Sequence, residues 1–409
     1  MSEREFDLVI WGATGFTGQL VVEYLASRYG VGGELNWAIG GRNRQKLEQI
    51  RQEALPKVQR DQLAILTGDS EDEQSLAALV GRTRVLCSTV GPYAKFGTPM
   101  VAACAGAGTD YCDLTGEVQW MAQVIPAYQD SARASGARIV HTCGFDSIPS
   151  DMGTWYLQQV MLETHGVPAT RVKARVGRNR GAASGGTVAS MLNLMEEAKH
   201  DPAIRQIMAD PYALYPEDVP TGQDRGDQAG ARYDRDFGQW TAPFIMSAVN
   251  TRVVRRSNAL LGFPWGEDFR YDEAALSRSR YRAMRDSVAT GMGMVALALG
   301  PTRKLAQHFL PAPGEGPSRK QREAGFYEIF FHGVHPTDRS KDMRVKVTGD
   351  MDPGYGSTAK MLGEAAACLA LDELEVEGGF WTPASALDGK LLERLTSNAG
   401  LTFEVVDKQ

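Results

Sequence analysis

The chain has 409 residues, with 50 acidic side chains against 44 basic ones and a formal charge of −6. That length sustains two or three domains, and the acidic balance, without a basic stripe interleaved with aromatics, argues against a nucleic-acid surface. Its five cysteines, Cys87, Cys104, Cys112, Cys143 and Cys368, lack C-x-x-C spacing and its six histidines lack an H-E-x-x-H pattern, so a cytoplasmic protein with reduced thiols and no metal site is expected.

In chain order, residues 7–18, DLVIWGATGFTG, come first and carry the most information. Five residues of strand character run into Gly12, Gly15 and Gly18, and a helix predicted over 16–26 follows directly. This is the layout of a dinucleotide-binding first turn, in the variant spacing G-x-x-G-x-x-G. Gly12 allows the sharp turn, Gly15 the close approach of a pyrophosphate to the helix N-terminus, and Gly18 the tight seating of the helix. Thr14, Phe16 and Thr17 complete the expected cofactor turn. A glycine-rich turn that binds nothing is the plainer alternative.

The next apolar run, 36–39, ends in Gly40, Gly41, Arg42 and Asn43, with Lys46 one helical turn on. An acid there would hold the ribose hydroxyl of NAD; its absence, with the planar fork of Arg42 and the charge of Lys46 in its place, points to NADP. A solvated basic helix start is the competing reading. The strand expected at 63–66 leads to Asp69, placed to touch the adenine side or to cap a helix from residue 71. Further strands are expected at 85–89, 111–114 and 138–141, with helices at 45–54, 71–80, 99–107 and 119–135 between them. Single helices between strands imply right-handed crossovers and a doubly wound parallel sheet.

After a helix at 152–163 the pattern changes. A strand at 171–178, a helix at 187–199, a Pro/Gly/Asp-rich stretch at 210–235 read as a mobile loop or lid, and an antiparallel hairpin from 327–334 and 343–348 make a second, α+β domain. Residues 284–310 have an apolar centre at 292–299 flanked by Arg282, Arg285, Arg303 and Lys304. They are too short and too glycine-rich to span a membrane, which leaves a pocket wall or subunit contact on one side and an interfacial segment in lipid headgroups on the other. Helices at 358–370 and 387–397 are expected to fold back on the first domain. The predicted division is 1–165 for dinucleotide binding, an inserted 166–351, and a returning 352–409.

Ligands bind at the carboxyl ends of parallel strands. Gly91 and Pro92 leave the fourth strand beside the expected nicotinamide, and Tyr93 and Lys95 are the nearest proton donors, with Tyr93 the preferred acid and a packed aromatic as its alternative. Asp146 and Ser147 leave the sixth strand as further catalytic candidates, against helix capping, which is the preferred reading for Ser150 and Asp151.

With these segments in hand, the chain resembles the saccharopine dehydrogenase-like oxidoreductases. GATGFTG at 12–18, AIGGRN at 38–43, VGPY at 90–93, CGFDSIPSD at 143–151, GEGPS at 314–318, DPGYGSTAKM at 352–361 and GGFWTPASAL at 378–387 all match. Within that family it is most similar to the bacterial trans-acting enoyl reductases, which implies NADPH-dependent C=C reduction of an acyl or polyketide thioester presented by a carrier or synthase. A homodimer and peripheral membrane contact are further expectations. The resemblance also admits a saccharopine-type amino-acid dehydrogenase, for which no arginine cluster is evident in the second domain, and a non-catalytic, lipid-associated NADP-binding partner protein stays open as a third class.

Overall fold

Alternation along the first strand explains the central sheet. In β1 (Phe6–Trp11), Leu8 and Ile10 point into one apolar layer and Val9 and Trp11 into another, so the strand is covered on both faces. The computed structural model describes residues 4–181, 185–298 and 316–407. Its first unit runs β1, α1 (Phe16–Arg28), β2 (Trp37–Gly41), α2 (Arg44–Ala54), β3 (Ala64–Thr67), α3 (Glu73–Val80), β4 (Thr83–Ser88), α4 (Tyr93–Phe96), α5 (Thr98–Ala107), β5 (Asp110–Asp113), α6 (Val118–Ser135), β6 (Arg138–Val140) and α7 (Ile148–His165). The strands lie parallel in the order β3-β2-β1-β4-β5-β6, the arrangement of a Rossmann sheet. The predicted elements are present with ends moved by a few residues. The helix expected from residue 71 starts at Glu73, because the side chain of Asp72 accepts the Gln74 N–H and caps it there.

The second unit comprises β7 (Arg171–Arg180), α8 (Gly185–His200), α9 (Pro202–Ala209), β8 (Arg232–Asp234), β9 (Gln239–Ala242), α10 (Ser247–Leu260), β10 (Arg270–Ser277), α11 (Arg280–Ala298), a short helix Arg319–Glu323, β11 (Phe326–Val334) and β12 (Met343–Gly349). The predicted hairpin is the antiparallel pair β11–β12, and β7 pairs in parallel with β10 inside an otherwise antiparallel sheet. Val172, Ala174 and Val176 face a core shared with Leu157 and Met161 of α7, which thereby joins the two sheets. The opposite face of this sheet is polar. Arg171, Lys173, Arg175 and Arg270 line a second cavity of about 740 Å³ there, so an arginine cluster does exist in this unit. Part of it is paired: Arg175 with Asp234 and Asp272, Lys173 with Asp234 and Asp236, and Arg171 with Asp272, while Arg232 and Arg235 also line the cavity.

The stretch expected as a free lid is tied down instead. Asp224 accepts from Arg255 at 2.8 Å, Arg270 at 3.2 Å and the Tyr271 N–H at 2.9 Å, while Asp227 pairs with Arg252 and accepts from Thr251. Buried arginines of α10 pin it from beneath.

The last part of the chain serves both sheets. The helix Thr358–Leu371 covers the α1 side of the first sheet, and Gly379–Trp381 adds a seventh parallel strand beside β6. Glu364 in that helix is fully buried and accepts the hydroxyls of Tyr24 at 2.5 Å and Tyr29 at 2.8 Å from α1. After the helix Pro383–Ser397, however, the strand Leu401–Val405 pairs with β12, so the tail does not return to the first sheet alone. Of the apolar segment at 284–310, the part to residue 298 belongs to α11; residues 299–310 and residues 314–315 of the GEGPS motif lie outside the described residues.

Candidate active site

A strand order that reverses between β1 and β4 leaves a crevice at their carboxyl ends. There Gly12 turns the chain with φ +86°, and a β-carbon would stand 2.6 Å from Val90 and 2.8 Å from Thr89. Gly18 lies so close beneath the turn that its β-carbon would fall 2.3 Å from the Gly12 carbonyl oxygen. Gly15 is the N-cap of α1, with no side-chain cap and no acidic residue in the first turn. The helix thus presents uncapped N–H groups and its positive end to the crevice, which is the requirement for a pyrophosphate.

One cleft of about 490 Å³ runs from this turn into the second unit. Gly12, Thr14, Gly15, Phe16, Thr17, Arg42, Asp69, Gly91 and Pro92 line it, as sequence reading expects of the cofactor half. Arg42 is exposed and has no hydrogen-bond or ion-pair partner among the described residues, leaving its fork available to a phosphate. Asn43 instead caps α2, accepting from the Lys46 N–H at 3.0 Å, and neither residue lines the cleft. Asp69 accepts from the Glu71 N–H at 3.1 Å in a tight turn. The carved turn, the open helix end and the unpaired Arg42 fit NADP. The other half of the cleft is apolar: Met191, Leu194 and Met195 of α8, Met208, Ile245, Met246, Val249 and Met294 of α11.

The catalytic candidates fall in three different environments. Tyr93 lines the cleft but is 4% exposed; its hydroxyl donates to the Ser88 carbonyl at 3.0 Å and its ring stacks on Trp120 with centroids 5.5 Å apart. Burial and the charge of Asp113 hold that hydroxyl well above the usual phenol range. Ser147 is fully buried, donates to Asn250 Oδ1 at 3.1 Å and does not reach the cleft, which is the geometry of a packing hydroxyl. Asp146 is half-buried in the cleft wall and has no hydrogen-bond partner among the described residues. Burial, with a smaller push from Asp113, raises its carboxyl to about 7. A carboxyl still partly protonated near pH 7 can act as a proton donor.

The sequence places the segment 113–117 at the end of the fifth strand but assigns no role to the residues that frame these groups. Glu117 accepts the Tyr93 and Ala94 N–H groups at 2.8 and 3.0 Å and the Ser190 hydroxyl at 2.7 Å, tying α8 to the Gly91–Pro92 turn. Asp113 holds the buried His141 ring at 2.8 Å. Tyr355 lines the cleft edge-on to Phe16, with ring centroids 4.7 Å apart. Glu117 and Tyr355 stand in motifs visible in the chain, DLTGE and DPGYGSTAKM, but their partners are remote in sequence.

Comparison with known proteins agrees with this geometry. Residues 8–140 match the saccharopine dehydrogenase NADP binding domain. A Mycobacterium tuberculosis protein provisionally named a trans-acting enoyl reductase is 41% identical over 417 residues, covering 98% of this chain and 97% of that one. Trans-acting enoyl reductases of Mycobacterium bovis and Mycobacterium ulcerans are each 37% identical, over 416 and 413 residues, with 96% of both chains covered. Among solved structures, apo saccharopine dehydrogenase (L-Glu forming) from Saccharomyces cerevisiae superposes with a TM-score of 0.51 at 13% identity, covering 98% of this chain and 99% of that one, which is a likeness of fold. With a relative 41% identical across nearly its whole length and an NADP binding domain at its first sheet, this chain belongs to the trans-acting enoyl reductase family.

Proposed function

We propose that the protein reduces the C=C bond of an enoyl thioester on an apolar acyl or polyketide chain, with NADPH as reductant. The observation that carries this is the join of two halves in one cleft: a nucleotide turn with a free Arg42, and a methionine-rich apolar wall, with the unpartnered carboxyl of Asp146 also lining the cleft. NADPH, when bound, supplies the hydride. Gly15 and the open end of α1 seat its pyrophosphate, Arg42 selects its extra phosphate, and Gly91 and Pro92 border its nicotinamide half. The second unit holds the acyl chain and excludes water. Asp146 donates the proton that completes the reduction and recovers it from solvent.

The hydroxyl of Tyr93 is engaged with Ser88, so we assign Tyr93 to shaping the Gly91–Pro92 turn and Asp146 to the donor role. Arg42 is the sole cation among the described residues lining the cleft, and it lies at the nucleotide end, so nothing in the apolar half favours a dicarboxylic amino acid. Presentation of the thioester by a carrier or synthase belongs to the same proposal; pairing of two copies and peripheral contact with a membrane are proposed beside it and do not depend on it.

The test is steady-state NADPH oxidation on an enoyl thioester. Asp146→Asn is expected to lower turnover by at least about tenfold, against the usual 10²–10⁴ for general acid catalysis, with NADPH affinity unchanged. Tyr93→Phe is expected to stay within about threefold of native, because it loses a bond to a backbone carbonyl and no donor. Unchanged turnover in Asp146→Asn removes Asp146 from the chemistry. No oxidation with any thioester, alongside tight NADPH binding, favours a non-catalytic partner protein.

A further inference from the structure

The helix α11 carries its apolar residues on the side that faces away from the protein. Ala283 is fully buried and Met294 lines the cleft, so these mark the inner side. On the outer side Tyr281, Met284, Val288, Met292 and Val295 are 77%, 50%, 59%, 68% and 58% exposed. At about 100° per residue these five fall within an arc of roughly 80°. A surface helix normally sets its polar residues there, and single exposed apolar side chains need no account, but a continuous stripe of five does.

We propose that this outer face lies in the headgroup region of an anionic membrane, with α11 parallel to the surface. The charge around the helix favours that occupant. Arg278, Arg280, Arg282 and Arg285 crowd its first turns, and Asp286, which pairs with Arg285, is the single acid within it, although the chain as a whole carries −6. Each arginine near an anionic leaflet adds to the attraction. A second copy of the chain is a poorer fit. A 19-residue helix is about 28 Å long, and a stripe about 10 Å wide offers roughly 300 Å² per copy, well short of the ~800 Å² per partner of a standard interface. No described helix is long and apolar enough to cross a membrane, so the contact is peripheral.

The placement gives the apolar cleft an entrance at the lipid. Ile245 and Phe96 line the cleft and remain 47% and 37% exposed. An apolar chain entering there meets an apolar wall that includes Met294. This last step rests on the acyl-chain reading above; the membrane contact does not.

The full chain is tested by flotation with phosphatidylcholine vesicles with and without about 30 mol % phosphatidylglycerol. The native protein is expected to float with the anionic vesicles and to be released at about 0.5 M salt. Val288→Glu combined with Met292→Glu, at exposed positions outside the cleft, is expected to lower vesicle binding by at least about tenfold while NADPH affinity stays native. Native protein that stays with the soluble fraction overturns the proposal. So does a double variant that floats like native, or one whose only effect is to split a native dimer in sedimentation, which assigns the stripe to self-association. Vesicle binding is read without turnover, so loss of the enoyl reductase reading leaves this result standing.

Discussion

Gly15 differs from its neighbours in the turn. A β-carbon at Gly12 or Gly18 would strike the protein itself, whereas at Gly15 it would meet only the Gly12 carbonyl at 3.3 Å, at an ordinary φ and on the cleft wall. Gly15→Val is therefore expected to abolish NADPH binding in titration calorimetry while far-UV circular dichroism stays native. Gly18→Ala is expected to cost about 1–3 kcal/mol of stability, the range for overpacking a filled site, seen as a lower urea midpoint. Arg42→Ala should weaken NADPH by about 1.5–3 kcal/mol, the range of a charge-assisted hydrogen bond, and leave NADH unchanged; equal native affinity for both cofactors would contradict it. These residues were legible because a glycine turn and a missing acid constrain the backbone and the charge locally. The proposed proton donor was less so. Tyr93 and Asp146 both stand at strand ends, and what separates them is the Ser88 carbonyl, which takes the hydroxyl of one, and burial, which raises the carboxyl of the other to about 7. No spacing in the chain discloses either.

At the scale of elements, strong periodicity was read correctly and burial of charge was not. The βα alternation up to residue 165 and the β11–β12 hairpin follow from apolar patterning. Helix α10 hid from that reading because Arg252, Arg255 and Arg256 give it the look of a solvated helix, yet all three are buried. Arg256 donates to the Leu214 and Phe380 carbonyls, and burial draws it down to about 10. The same arginines hold the stretch that composition alone marks as a loose loop. Asp224→Ala would leave Arg255 buried without its carboxylate, and a loss of about 3–5 kcal/mol is expected from denaturant unfolding. A change under about 1 kcal/mol would mean that the pair holds nothing in place. The three-residue strand Gly379–Trp381 is too short for any pattern to reveal.

For the molecule as a whole, buried acids set the response to pH. Burial raises Asp146, Asp151 and Glu273 each to about 7, while in the unfolded chain they ionise near their ordinary values. The native state therefore holds more protons between those limits, and stability falls as pH rises through the window, by up to ~1.4 kcal/mol per unit for each group. His332, drawn down to about 4 by burial, acts in the opposite sense up to the ordinary imidazole value, but one imidazole is outweighed by three carboxyls. Asp236 and Glu328, held at about 2 despite burial, the first chiefly by Lys173 and the second by Arg178, have already given their full contribution. The urea midpoint is expected to be higher at about pH 5.5 than at about pH 7.5, and Asp151→Asn to flatten that slope. The joining of Gly379–Trp381 and Thr358–Leu371 to the first sheet bears on how the chain is made. At about 5–20 residues per second, a ribosome that has finished β6 needs on the order of 10–40 s to deliver the helix that covers α1. Until Glu364 arrives, Tyr24 and Tyr29 have no acceptor and the flank of the sheet stays bare. A product cut short after the second unit keeps every residue of the nucleotide turn but displays that flank, so a closed first sheet marks a chain whose synthesis has passed residue 381.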